Sequence, residues 1–222
     1  MLVQIENVLR PPELQQLRAE LARAEFVDGA ATAGSQARMV KRNLQLRSDS
    51  PVAAELGRLV ATALQRNSVF AAAVFPRRSS TPMFSRYEVG MAYGNHVDNA
   101  LLGKQRLRTD VAVTLFLSDP ADYDGGELVI QDSYGVHAVK PPAGNMVVYP
   151  ANSLHRVEPV TRGCRDAAVC WVESMIRDER QRRLLFDLDN AIRRLAAGDG
   201  GGQEVAPLTA CYHNLLRMWA ET

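Results

Sequence analysis

The chain has 222 residues, of which 46% are hydrophobic and 23% charged, and its formal net charge is +1. This length and composition are typical of one globular domain, and the near-zero charge gives no general reason to expect a nucleic-acid or acidic-membrane partner. Three cysteines without CxxC spacing argue against a disulfide framework and favour a reducing cytoplasm. The N-terminus has no signal-peptide pattern, and no apolar run is long enough to cross a bilayer, so we expect no membrane association.

The first part of the chain, residues 1–66, is predicted to be a helical support. Leu14, Leu17 and Leu21 recur at helical spacing behind Pro11 and Pro12, which suit the start of a helix. A second apolar series with helical spacing follows Pro51. The sequence therefore predicts two helices in this part.

Between these helices the pattern changes twice. Residues 28–35 are rich in glycine, alanine and serine, and we interpret them as a loop. The Met39–Leu46 segment alternates enough to be a strand, and Asn43 and Gln45 on it are candidates to face a pocket.

Residues 67–176 change from helical to alternating periodicity. Val111, Val113, Leu115 and Leu117 would lie on one face of a strand. Further short strands are predicted at Glu127–Gln131, Val136–Lys140, Met146–Tyr149, Leu154–Val160 and Ala167–Ile176. Turn-forming residues separate these strands, and many short strands at close spacing predict a sandwich or barrel, of which the jelly roll is one form.

The last part, residues 177–222, is again helical. Leu184, Leu185 and Leu188 belong to an amphipathic pattern, which a flexible break at Gly198–Gly202 separates from a short helix between Pro207 and about Ala220. Exposed apolar residues on these helices could support a homodimer. We therefore predict one domain spanning residues 1–222, mainly β with flanking helices, with a double-stranded β-helix (jelly roll) as its core.

Two histidines and one aspartate form a candidate metal site. His96 and Asp98 would project to the same side of an extended chain, and His155 begins a later strand that could meet them at the mouth of a barrel. Two imidazoles and one carboxylate leave three of six octahedral positions open, which suits iron(II) that must bind an oxidant and a chelating cosubstrate. Zinc would also accept these ligands, so the residues alone do not decide the metal.

Arg165 lies ten residues after His155, beyond the turn at Arg162-Gly163. If that turn joins two antiparallel strands, Arg165 would lie one strand away from His155. A planar guanidinium there could bind a carboxylate through two hydrogen bonds, as a chelated keto acid would require.

Together these residues form a pattern that resembles a known family, the prolyl-4-hydroxylase-type dioxygenases, and among them the bacterial PKHD-type hydroxylases. The resemblance depends on Arg86-Tyr87-x-x-Gly90-x-x-Tyr93-x-x-His96-x-Asp98, then Gly125-Gly126-Glu127-Leu128, then His155-x9-Arg165. It covers about residues 78–178, and the flanking helices extend it over nearly the whole chain.

The resemblance implies a cytoplasmic oxidoreductase that hydroxylates a C–H bond and releases succinate and CO2. His96, Asp98 and His155 would bind Fe(2+), and Arg165, with Tyr87 as a second contact, would bind 2-oxoglutarate. L-ascorbate would keep the iron reduced, dioxygen would be the oxidant, and many members are tied to iron homeostasis. The substrate would be a small molecule or a peptidyl group.

Two alternatives remain open from the sequence alone. A cupin-like metalloenzyme would bind metal without needing Arg165, and a sensor would bind metal without turnover. His137 and His213 are interpreted as surface residues, and Gly125 and Gly126 as turn residues that supply positive φ angles.

Overall fold

The computed structural model describes residues 1–32, 34, 38–132, 135–198 and 202–222. Two antiparallel sheets face each other, and helices cover the outer face of the larger one. This arrangement confirms the predicted class, a jelly roll with flanking helices.

The larger sheet has strands from both the N-terminal part and the middle of the chain. Its strands are β1 (Val3–Ile5), β2 (Phe26–Asp28), β4 (Leu44–Leu46), β5 (Pro76–Ser79), β6 (Met83–Tyr87), β10 (Val111–Phe116), β14 (Met146–Pro150) and β17 (Arg165–Ser174). Their order is β1-β14-β10-β17-β6-β4-β2, with β5 also paired to β17.

The smaller sheet carries most of the candidate metal site. Its strands are β3 (Lys41–Arg42), β7 (Ala92–His96), β12 (Leu128–Asp132), β13 (Gly135–Val139) and β15 (Leu154–Val157), in the order β13-β12-β15-β7-β3. Two short pairs complete the strands: β8 (Leu101–Leu102) with β9 (Leu107–Arg108), and β11 (Asp124–Gly125) with β16 (Val160–Arg162).

The central strand β10 shows how the alternating pattern builds two core layers. All six of its residues are buried. Val113 and Leu115 face the helices, whereas Ala112 and Phe116 belong to the cluster between the two sheets. Alternate side chains of a strand point to opposite faces, so one strand joins both layers.

The helices begin where capping residues and prolines favour them. They are α1 (Pro11–Arg23), α2 (Pro51–Gln65), α3 (Ser68–Val74), α4 (Glu179–Ala196) and α5 (Gly202–Trp219). The Ser50 side chain accepts a hydrogen bond from Ala53 N at the start of α2, and Asp178 does the same for Arg180 N at the start of α4. None of the described helices is long and apolar enough to cross a membrane.

Several sequence-based boundaries were wrong. The N-terminal part contains both predicted helices, and β3 and β4 lie within the strand predicted at Met39–Leu46. The strands β1 and β2 were not predicted, because three residues are too few to show a period. The strand predicted from Leu154 to Val160 divides at Pro159, which lacks an N–H for a strand hydrogen bond. The last helix begins at Gly202, before Pro207, and residues 199–201 of the predicted break lie outside the described residues.

Candidate active site

His96, Asp98 and His155 come together at one end of the sheet sandwich. The pairing of β7 with β15 sets His96 directly opposite His155, and Asp98 follows just after β7. One candidate ligand atom from each residue lies within 4.8 Å of the other two. The spacing between His155 Nε2 and the nearest Asp98 oxygen is 3.9 Å, so one cation could contact both.

Each imidazole is oriented by a backbone carbonyl. His96 Nδ1 lies 2.9 Å from Gly94 O, and His155 Nδ1 lies 3.0 Å from Ser153 O. Because a carbonyl oxygen only accepts hydrogen bonds, each Nδ1 carries the hydrogen. Each Nε2 therefore keeps its lone pair for a metal.

The electrostatics of the cluster favour the metal-binding form of His96. Burial lowers the pKa of His96 to about 3, and the neighbouring His155 acts in the same direction, so the imidazole stays neutral. Burial raises the pKa of Asp98, against the opposing effects of His155, a hydrogen bond from Trp171 and the charge of Lys41. A cation in the cluster would compensate for the burial of this carboxyl group.

Aromatic rings hold the two imidazoles in place. The Tyr93 ring stacks on His96 with centroids 3.5 Å apart, and the His96 and His155 centroids are 4.1 Å apart. From the larger sheet, Tyr149 packs edge-on against His155 at 5.2 Å. These contacts fix the ring positions without requiring a bound metal.

Arg165 is a buried cation in the same cavity. It is only 2% exposed, and no carboxylate of the described residues lies within ion-pair distance. Its Cζ lies 5.2 Å from the Tyr87 ring centroid and 5.1 Å from that of Phe116. Within the described part of the chain Arg165 Nε has no hydrogen-bond partner, although the Tyr123 hydroxyl is close by. An uncompensated buried guanidinium is costly unless a ligand supplies the anion.

The predicted relation between Arg165 and His155 was wrong. Arg165 is on β17 in the larger sheet, opposite Tyr87, whereas His155 is on β15 in the smaller sheet. After β15 the chain passes through β16 and crosses to the other sheet, so the two side chains face one cavity from opposite walls. Tyr87, 4% exposed, lines the same cavity.

The Gly125-Gly126 turn lies against Arg165. Its φ angles are +70° and +66°, which confirms that both glycines supply left-handed conformations. A Cβ at Gly125 would lie 2.0 Å from Pro159 O, and one at Gly126 would lie 3.1 Å from Arg165 Cδ. Side chains at this turn would therefore disturb the wall that carries Arg165.

The cavity encloses about 860 Å³ of space between protein atoms, including its open mouth. Asn43 and Gln45, which the alternation of their segment suggested as pocket residues, are both in its lining. Lys41 and Trp171 also line the cavity, and neither was predicted to do so from the sequence. Lys41 lies two residues before Asn43, so the same alternation could have identified it. His137 and His213 are not among the lining residues.

Comparison with known proteins links this geometry to one family. Residues 82–173 match the 2OG-Fe(II) oxygenase superfamily, and residues 179–221 match the PKHD-type hydroxylase C-terminal domain. A PKHD-type hydroxylase of Burkholderia ambifaria (strain MC40-6) is 55% identical over 227 residues, an alignment covering 100% of both chains.

Two solved structures share the fold. A Pseudomonas putida prolyl-4-hydroxylase gives a TM-score of 0.55 at 20% identity, covering 78% of this chain and 92% of that one. A Trichoplax adhaerens prolyl hydroxylase, in complex with a hypoxia inducible factor oxygen degradation domain peptide fragment, gives 0.56 at 19% identity, covering 82% and 86%. At such identities the likeness concerns the fold alone.

Proposed function

Because the chain belongs to the PKHD-type hydroxylases of the 2OG-Fe(II) oxygenase superfamily, we propose that its cavity hydroxylates a C–H bond of a small or peptidyl substrate. The chain is an oxidoreductase of the dioxygenase type, and the family implies iron(II) and 2-oxoglutarate. Dioxygen would be the oxidant, with succinate and CO2 as the other products.

His96, Asp98 and His155 are the proposed iron ligands. Their donor set fits iron(II), since two neutral imidazoles and one carboxylate leave three positions for a chelating cosubstrate and dioxygen. Bound iron and 2-oxoglutarate would supply the oxidising chemistry, and this chain would supply placement and exclusion of water.

Arg165 is the proposed partner of the distal carboxylate of 2-oxoglutarate, with Tyr87 as a second contact. The observation that carries the proposal is the burial of Arg165 without a carboxylate partner in the part of the chain that the structure describes. A dicarboxylate that chelates the iron would bring that partner, and its other end would point at the opposite wall. Neither a cupin-like metalloenzyme nor a metal sensor would need this cation.

The test is an anaerobic titration of the iron(II)-loaded protein with 2-oxoglutarate, followed by visible absorption. We expect a weak metal-to-ligand charge-transfer band near about 500–530 nm, as for a keto acid chelated to an open facial triad. Zinc-loaded protein is the control and should give no band. Iron binding without a band would refute the use of 2-oxoglutarate and favour the cupin-like or sensor alternative.

Three further expectations belong to this proposal. L-ascorbate should prolong turnover by returning oxidised iron to iron(II), which succinate release over time would measure. A link to iron homeostasis predicts that expression rises under iron limitation. A homodimer formed through α4 and α5 would be seen by light scattering.

A further inference from the structure

The segment from Lys41 to Leu46 crosses between the two sheets beside the candidate iron site. Lys41 on β3 pairs with Tyr93 in the smaller sheet, and Gln45 on β4 pairs with Ser85 in the larger one. Asn43 lies at the crossing. The side chains of Lys41, Asn43 and Gln45 are at alternate positions, and all three line the cavity. The segment thus forms a polar wall between the two sheets.

A chain of hydrogen bonds fixes the Lys41 ammonium group. Lys41 Nζ donates to Thr32 Oγ1 at 2.9 Å, and Thr32 Oγ1 lies 2.7 Å from Gln45 Oε1. The ammonium lies 5.3 Å from the centroid of the Tyr93 ring, which in turn stacks on His96. Lys41 is only 7% exposed, so its charge is held inside the cavity close to the candidate iron ligands.

Some hydrogen-bonding groups of Lys41 and Asn43 in this polar wall have no partner among the described residues. An ammonium group has three N–H donors, and Thr32 supplies the one acceptor found for Lys41 Nζ among the described residues. The Asn43 amide is 3% exposed and lies near Tyr87, yet neither of its polar atoms has a hydrogen-bond partner among the described residues. Buried polar groups are rarely left unpaired, so this wall has the character of a binding surface.

If the function proposed above is correct, the charges in the cavity show that 2-oxoglutarate does not need Lys41 as a binding partner. Iron(II) with one carboxylate ligand carries one net positive charge, and Arg165 adds a second. The two charges of 2-oxoglutarate neutralise both. The Lys41 ammonium then has no carboxylate of the described chain within ion-pair distance, and Asp28 and Asp98 act on it only from farther away.

We propose that Lys41 is a specificity-determining residue that binds a carboxylate of the substrate, with the Asn43 amide as a second hydrogen-bonding group. One ammonium matches the single charge of a carboxylate, whereas a phosphate monoester carries a charge of about −1.5 to −2 at neutral pH. The substrate class is therefore a carboxylate-bearing molecule. Its oxidised C–H bond lies on the iron side of the carboxylate.

The experiment measures the binding of a minimal carboxylate without using turnover. The protein is loaded with Mn(II), which binds the same oxygen and nitrogen ligands, and saturated with 2-oxoglutarate so that Arg165 is occupied. Isobutyrate and its neutral isostere isobutyramide are then titrated separately, and paramagnetic broadening of their methyl proton signals reports binding near the metal. We expect isobutyrate to bind about tenfold more tightly than isobutyramide, or better.

Two single-residue variants test whether Lys41 causes the tighter binding of isobutyrate than of isobutyramide. Lys41→Met should remove the preference for isobutyrate, whereas Lys104→Met, which changes an exposed lysine, should keep it. Equal binding of the acid and the amide by the unmodified protein would overturn the proposal even if Lys41→Met failed to fold. A preference that survives in a folded Lys41→Met protein would overturn it too.

Two further measurements identify the source of the carboxylate and separate the role of Lys41 from the proposed function. The peptide acetyl-Gly-Glu-Gly-amide, titrated in the same way, distinguishes a protein side chain from a small free acid as the source of the carboxylate. The iron(II)–2-oxoglutarate band is recorded first on the same preparation. Absence of that band would refute the proposed function, whereas a normal band without a Lys41-dependent preference would refute only the role of Lys41.

Discussion

Replacing Arg165 by methionine tests the cosubstrate site most directly. Methionine keeps much of the side-chain volume between Tyr87 and Phe116 but removes the charge. Losing one partner of a desolvated charge pair costs about 2–5 kcal/mol. About 1.4 kcal/mol corresponds to a factor of ten in the dissociation constant. The dissociation constant of 2-oxoglutarate should therefore increase by a factor between about 30 and a few thousand.

The stability of the ligand-free protein should change in a different way. Arg165 is buried and has no carboxylate partner among the residues that the structure describes, so its removal relieves the cost of an uncompensated charge. We therefore expect the free energy of unfolding to stay the same or rise. A structural ion-pair residue would instead lose about 3–5 kcal/mol on replacement.

The assay combines the anaerobic charge-transfer titration with urea denaturation of the metal-free protein. Arg162→Met is a matched control, because Arg162 pairs with Asp124 on the surface at 2.8 Å and such pairs contribute about 0–1 kcal/mol. Its affinity for 2-oxoglutarate should be unchanged. Unaltered 2-oxoglutarate binding by the Arg165→Met protein, or a large loss of stability, would refute the reasoning.

Four other changes have defined outcomes. Asp98→Ala should abolish stable iron(II) loading in equilibrium dialysis, and normal loading would remove Asp98 from the ligand set. Trp171→Phe removes the indole N–H that favours the charged form of Asp98 and should weaken iron(II) binding about 10- to 100-fold, whereas Trp219→Phe, on α5, should leave it unchanged. Burial lowers the pKa of Lys41 to about 8, against the opposing charges of Asp28 and Asp98. Isobutyrate binding should therefore be constant from about pH 6, where the ligand is ionised, up to that pKa, and weaken above it as the ammonium is lost; a flat profile up to high pH would contradict this. Gly125→Ala should destabilise the fold by about 2 kcal/mol or more in urea denaturation, because its Cβ would meet Pro159 O at a positive φ, and an unchanged midpoint would count against that explanation.

The sequence predicted the parts of the site that depend on local spacing. His96 and Asp98 are two residues apart near the end of one strand, so alternation along the strand was enough to group them. His155 was added because the expected jelly roll could bring its strand to them and because the pattern resembles that of the family. The strand β10 was also predictable, since its six residues are long enough to show a period of two.

The position of Arg165 was predicted wrongly and that of Lys41 was not predicted; both positions depend on strand pairing between segments that are far apart in the sequence. Arg165 was expected beside His155 because a turn separates them, but the turn does not determine which sheet the chain enters next. Lys41 was missed although it alternates with Asn43 and Gln45, because a lysine is rarely buried and was not considered as a pocket residue. Only the pairing of β3 with β7 places it inside the cavity.

The division of the site between two sheets has a consequence for the choice of keto acid. The candidate iron ligands belong to the smaller sheet and its edge, and Arg165 belongs to the larger one, so the width of the cavity is fixed by the core between the sheets. That core is close-packed around Phe116 and Ile130, and packed interiors resist compression. Under the proposed function, the protein would therefore select a dicarboxylate by its length. We expect a keto acid one carbon shorter, such as oxaloacetate, to bind less tightly because it would not span both walls, and one carbon longer, such as 2-oxoadipate, to fit only if it bends.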